Sequence, residues 1–155
     1  MALGVAGTSA RLATTAWNTG EILSTFIKNA KTIDQTLIAL AAQSQAVQGL
    51  CKSIAAVLQE YKQRLDACPG PTCTRNGKQL GDLLRMIEGQ LTECEGTLQR
   101  LCRSTEGIKF GNRRFAEKTW AQLKLNLSKE LMVETRSQLS LHLLALNTSL
   151  QIWNM

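Results

Sequence analysis

From Ile33 to Leu65, apolar and small residues return at spacings of four and three without a slip: Ile33, Leu37, Leu40, Ser44, Val47, Cys51, Ile54, Leu58, Tyr61 and Leu65. This heptad seam predicts one long amphipathic helix, about 50 Å at 1.5 Å per residue. Thr32 or Asp34 can cap its start. A seam this regular suits a coiled-coil dimer or an intramolecular bundle. Ile38, Ala41, Leu50 and Val57 flank it and widen the stripe, which favours a multi-helix bundle. The helix stops at CPGPTCTRNGK, where Pro69, Gly70 and Pro71 cannot continue it and Asn76-Gly77 adds a turn signal. A third helix follows, with Leu80, Leu84, Ile87, Leu91, Cys94, Leu98 and Leu101 at the same spacing, closing near Arg103. Gly107 and Gly111 break the next segment, and Trp120, Leu123 and Leu127 mark one short helix. A last helix begins at Leu131 or Met132, with Leu139, Leu143, Leu146, Leu150 and Trp153 on one side. The first helix, from Leu3 to about Ala30, has a looser stripe of Leu12, Trp17, Ile22 or Leu23, Phe26 and Ile27.

Four long helices and one short one, joined by short loops, predict an all-α protein: an up-and-down four-helix bundle with one additional short helix, as a single domain over 1–155. Composition agrees. The 155 residues can bury a core without disulfides or metals, and 44% hydrophobic residues describe a globular chain. Only two prolines occur, almost adjacent, where a β-rich chain needs regular turn signals. No internal repeat or low-complexity tract is visible.

The opening stretch, MALGVAGTSARLATTAWNTG, holds Arg11 as its one charge. No basic residue precedes Arg11, and Gly4, Gly7, Thr8 and Ser9 interrupt the apolar run, so it does not read as a signal peptide. The stretch between Arg11 and Glu21 is nine residues, too short to span a bilayer. Two longer uncharged segments, Gln35 to Cys51 and Ser137 to Met155, are crowded with Gln, Ser, Asn or Thr. What remains is a helix rich in small residues, able to pack closely against others.

Lys and Arg outnumber Asp and Glu by 18 to 12, a net +6, which favours acidic partners. The densest basic patch is Lys109, Arg113, Arg114 and Lys118, interleaved with Phe110 and Phe115. No nucleic-acid module frames it, so a solvated loop outweighs a nucleic-acid contact. Of five cysteines, Cys51, Cys94 and Cys102 fall in helical patterns as small hydrophobes, while Cys68 and Cys73 flank a turn and are the one candidate disulfide. This usage points to a reducing, cytoplasmic setting.

The residues for catalysis are sparse. The single histidine, His142, lies inside the last helix and reads as structural. The Cys68–Cys73 spacing is not a zinc pair, and no second pair exists. There is no phosphate-binding glycine loop, no serine elbow and no Glu-x-x-His pair. Cys102 lies near Arg100 and Arg103, but its core reading outweighs a nucleophile. The expectation is a non-enzymatic protein with no cofactor, metal or small-molecule substrate.

Three stretches carry a resemblance: GVAGTSARL at the start, TIDQTLIAL to LQEYKQRL in the second helix, and KTWAQLKLNLSKELMVETRSQLSLHLLALNTSLQ, with Trp120, Leu127, Leu131, Leu139, His142, Leu146 and Leu150 in register. Across nearly its whole length the chain resembles the fungal N-terminal domain at the head of STAND-type NTPases, the fungal NOD-like receptors. It is also similar to the N-terminal domain of azaphilone pigment biosynthesis cluster protein L. The resemblance implies a HeLo-like helical bundle similar to cell-death effector modules, which assemble and are then directed at membranes through the N-terminal helix. It carries over no catalytic residue. The sequence ends at Met155 without a nucleotide-binding or repeat region, so it reads as a stand-alone member or an excised domain, which puts receptor-driven triggering in doubt.

The opening helix then has a double expectation. Its Gly, Ala and Ser residues permit close helix approach. Leu3, Val5, Leu12, Trp17, Leu23 and Phe26 are the candidate membrane or self-association residues, with Arg11, Lys28 and Lys31 able to meet anionic head groups. The expected partners are a second copy or another helical protein, and anionic membrane lipid, with recruitment from the cytoplasm to a membrane. The alternative is a soluble protein-interaction scaffold or an accessory protein in fungal secondary metabolism.

Overall fold

The computed structural model describes residues 2–29, 35–67, 74–105 and 129–155. These form four α-helices: α1 (Ala2–Asn29), α2 (Gln35–Ala67), α3 (Thr74–Thr105) and α4 (Lys129–Asn154). Among the described residues there is no strand. The all-helical bundle is therefore as the periodicity predicts. The short helix expected over 120–127, the caps Thr32 and Asp34, and the Pro69–Pro71 break lie outside the described residues. Asn76-Gly77 is not a turn: α3 begins at Thr74 and runs through both. Turn propensity in that pair is a local bias of about 1 kcal/mol, which a helix anchored further along can override.

The seams are the core. On α2, Leu37, Leu40, Ser44, Val47, Cys51, Ile54 and Leu58 are all buried. On α3 the buried set is Leu84, Ile87, Leu91, Cys94, Leu98 and Leu101. On α4 it is Met132, Leu139, Leu146 and Leu150, with Leu143 half-buried against them. Ser44 sits in the seam at no cost to its hydroxyl, which donates to the Leu40 carbonyl at 3.0 Å. α1 is thinner inside. Val5, Leu12 and Leu23 are its large core residues, and Thr8, Ser9, Ala16, Thr19 and Gly20 fill the positions between. Opposite Gly20 lies Ser44, so α1 and α2 come close together there.

The side-chain pairings set the topology. Ser9 bonds to Cys51 and Gly20 faces Ser44, so α1 and α2 are antiparallel. Gly4 meets Glu88 and Arg11 meets Glu95, so α1 and α3 are parallel. Thr97 meets His142 and Gln90 meets Ser149, so α3 and α4 are antiparallel. Gln43 reaches Ser140 and Tyr61 packs edge-on against Trp153 at 5.5 Å, so α2 and α4 are parallel. The helices thus run up, down, up, down. Their packing order is not sequential, however: α1 packs on α2 and α3, α4 packs on α2 and α3, and α2 faces α3 across the diagonal. At 8–10 Å between neighbouring axes, that diagonal is about 14 Å, within reach of the six residues that join the two helices.

Candidate interaction surfaces

The exposed side of α1 is built from small residues for a reason visible in its register. Ala6, Ala10, Ala13 and Trp17 recur at spacings of four, three and four, so they form one stripe along the helix. The core takes Val5, Leu12 and Ala16 instead, which leaves Trp17 54% exposed. Beside this stripe a groove of about 710 Å³ runs between α1 and α2. Ser9, Cys51 and Leu58 are its buried floor; Ala6, Ala10, Ala13 and Ala55 are its walls. Lys52, Gln59 and Lys62 stand on the α2 rim, and no acid lines it. The surface is therefore an apolar channel with a cationic edge and an exposed indole. These are the parts an interfacial membrane contact needs, with apolar area for the acyl boundary and ammonium groups for anionic head groups.

The opposite flank of α1 is polar. Arg11 Nε donates to Glu95 Oε1 at 3.3 Å and its Nη2 to Oε2 at 3.4 Å. The same Nη2 reaches Thr8 Oγ1 at 3.4 Å, and Gln99 Nε2 donates to Glu95 Oε1 at 3.2 Å. Glu95 is 8% exposed, so its charge depends on these donors. α1 is thus held to α3 by a polar seam on one side and a modest apolar face below.

A second cavity, about 570 Å³, opens between α3 and α4 around His142. Arg100 Nη2 donates to Gln138 Oε1 at 2.8 Å on its edge. Thr97 Oγ1 donates to the Glu93 carbonyl at 3.2 Å and lies 3.1 Å from His142 Nε2. Which of Thr97 and His142 donates in their contact is set by the imidazole tautomer. Burial pushes the His142 pKa down, Glu93 opposes that shift and Arg100 adds to it.

In the core beneath α1 lie two thiols. Burial raises the Cys51 pKa, with the Ser9 hydrogen bond opposing, and burial together with Cys51 pushes Cys94 up to about 12. Both are protonated, inert side chains at neutral pH. Among the described residues no His, Cys, Asp and Glu cluster could hold a metal ion.

The residues singled out in the sequence fall in three places. Val5, Leu12 and Leu23 are core residues of the closed bundle. Trp17 is on the outer stripe, one helical turn beyond Ala13, where the groove lining on α1 ends. The side chains of Leu3 and Phe26, the basic patch Lys109, Arg113, Arg114 and Lys118, and Cys68 and Cys73 lie outside the described residues. Sequence reasoning missed the pairing of Arg11 with Glu95, 84 residues away. It also missed the groove, although the Ala6–Ala10–Ala13–Trp17 spacing signals it. Among the described residues no helix is long and apolar enough to cross a membrane. Comparisons with protein-family models, with curated proteins and with solved structures find no match to this chain.

Proposed function

We propose that this chain is a non-enzymatic helical effector module of HeLo-like type that self-associates and engages anionic membranes through α1. The observation that supports this most directly is the α1 outer stripe with its exposed Trp17 beside a lysine-edged apolar groove. Residues 2–20 contain no acid, so nothing on this stripe repels an anionic surface. The first contact uses the folded bundle. Deeper engagement releases α1, and exposes Val5, Leu12 and Leu23 to the acyl region. The test is co-sedimentation and dye release with phosphatidylserine-containing vesicles against phosphatidylcholine alone. Binding to the anionic vesicles only, lost in Trp17→Ser combined with Lys52→Glu and Lys62→Glu while helicity is kept, is the expected result. Equal behaviour of the triple variant and the parent, or no binding by the parent, refutes the proposal. A second reading, an interaction scaffold that acts without lipid, is favoured by the aliphatic side chains α4 turns to solvent: Leu141 and Leu144 are 63% and 65% exposed.

A further inference from the structure

We infer that the outer face of α4 is the contact through which two copies of this chain pair, antiparallel about a two-fold axis. This deepens the self-association part of the proposed function and rests on it, but needs neither lipid nor α1. The starting observation is that α4 is apolar on two opposite sides. Met132, Leu139, Leu146 and Leu150 point into the bundle and are buried. Val133, Leu141, Leu144 and Ile152 are 52%, 63%, 65% and 50% exposed. At 3.6 residues per turn these four fall within a sector of about 100° opposite the core. A helix with apolar residues on both sides expects a neighbour on both, and the bundle supplies one.

The chemistry of the face indicates what covers it. From Ser137 to Met155 there is no Lys, Arg, Asp or Glu, and His142 is turned to Thr97 on α3. This half of α4 itself carries no charge; Glu93, Arg100 and Arg103 of α3 stand beside Leu141 at the edge of the face, around the His142 cavity. The chain carries +6, and an uncharged face is where two such copies approach at least electrostatic cost. The pattern is also self-complementary. An axis crossing at Leu146 sets Leu144 opposite Thr148 of the second copy and brings Leu141 within one residue of Ile152 of the second copy, each pair occurring twice, as an isologous contact requires. Large side chains then meet smaller or equal ones, which lets the helices interdigitate. A parallel pairing would stack Leu144 on Leu144 and Thr148 on Thr148, and align the two helix dipoles. The antiparallel pairing also carries the charged first turns, with Lys129, Glu130, Glu134 and Arg136, past the end of the contact, and Val133 with them, so that Leu141, Leu144 and Ile152 are its apolar residues.

Sedimentation equilibrium of the full chain, reduced and without lipid, tests this. The expected mass rises with concentration toward twice the 17.0 kDa of one chain. Leu144→Glu, at an exposed position, is expected to remain at the monomer mass with unchanged helical circular dichroism. Trp17→Ser is expected to dimerise as the parent does, which separates failure of this contact from failure of the membrane reading. A parent that stays monomeric throughout the micromolar range, or a Leu144→Glu chain that still dimerises, overturns the proposal. Thiol cross-linking tests the register. A mixture of Leu141→Cys and Ile152→Cys chains is expected to form a cross-linked dimer above the wild-type background. Either variant alone is not, because the antiparallel register holds identical positions about 16 Å apart at 1.5 Å per residue. Cross-linking of each variant with itself but not with the other overturns the two-fold arrangement.

Discussion

Truncating Leu12 to alanine tests whether α1 is a separable part of the bundle. Leu12 is fully buried at the middle of α1, between Val5 and Leu23. Large-to-small changes at such sites cost about 2–5 kcal/mol. The apolar attachment of α1 rests chiefly on three fully buried large side chains, each contributing roughly 1.5–3 kcal/mol, with Ile22 and Ile27 half-buried against the core beside them. Losing one weakens the docking of α1 by about 3 kcal/mol, and so raises the population of bundles with α1 detached by about 100-fold. Native-state hydrogen exchange reads this directly. If α1 opens as a unit, its amides lose about two decades of protection in Leu12→Ala while those of Leu91 and Leu139 keep theirs. Dye release from anionic vesicles is expected to rise in parallel. Leu91→Ala is the control: it makes a comparable cavity in α3 but does not loosen α1 selectively. Uniform loss of protection across all four helices in Leu12→Ala would refute the idea that α1 leaves alone, and with it the release step of the proposed mechanism.

The remaining predictions are narrower. Arg11→Ala is expected to destabilise the fold by about 1–3 kcal/mol in urea denaturation, since it strips a buried carboxylate of its charged donor. Glu95→Gln in that background is expected to restore most of the loss, because an amide is cheaper to bury than an unpaired charge. For His142, burial holds the folded-state pKa below its ordinary value of 6.5. The unfolded chain therefore binds the proton first as pH falls, so the contribution is unfavourable on the acid side and vanishes above that value. The urea midpoint is expected to fall between pH about 7.5 and about 5.5, and His142→Gln to reduce that slope. An unchanged slope in His142→Gln would assign the pH dependence to other groups.

The α2 and α3 seams were readable because each residue in them does the same thing, and period alone identifies it. Even Ser44, a polar residue in an apolar series, is buried where the spacing placed it. α1 was harder to read. Counting large apolar side chains puts Trp17 on the inner stripe, but Trp17 lies five residues after Leu12, and the helix turns Ala16 inward instead. In a helix of small residues, size is a poor guide to which side is buried, and spacing decides. Leu141, Leu144 and Ile152 show the complementary difficulty: one inward stripe satisfied the bundle, and the second stripe on the same helix had no assigned role. The placement of α2 opposite α3, and the pairings of Arg11 with Glu95 and Thr97 with His142, join residues 45 to 84 positions apart. Local periodicity carries no information about which seam meets which.

The diagonal arrangement has one more consequence. α1 and α4 occupy opposite corners and are not packed neighbours, so the departure of α1 leaves α4 bridging α2 and α3. What it uncovers is the inner strip of α2 and α3 where Cys51 and Cys94 lie, the former directly under Ser9. Two thiols that are sealed and unreactive in the closed bundle would then stand in water. The molecule thus carries an intrinsic chemical gauge: the rate at which these two sulfurs, followed apart from the half-exposed Cys102, accept an alkylating reagent reports the fraction of molecules whose N-terminal helix has lifted off.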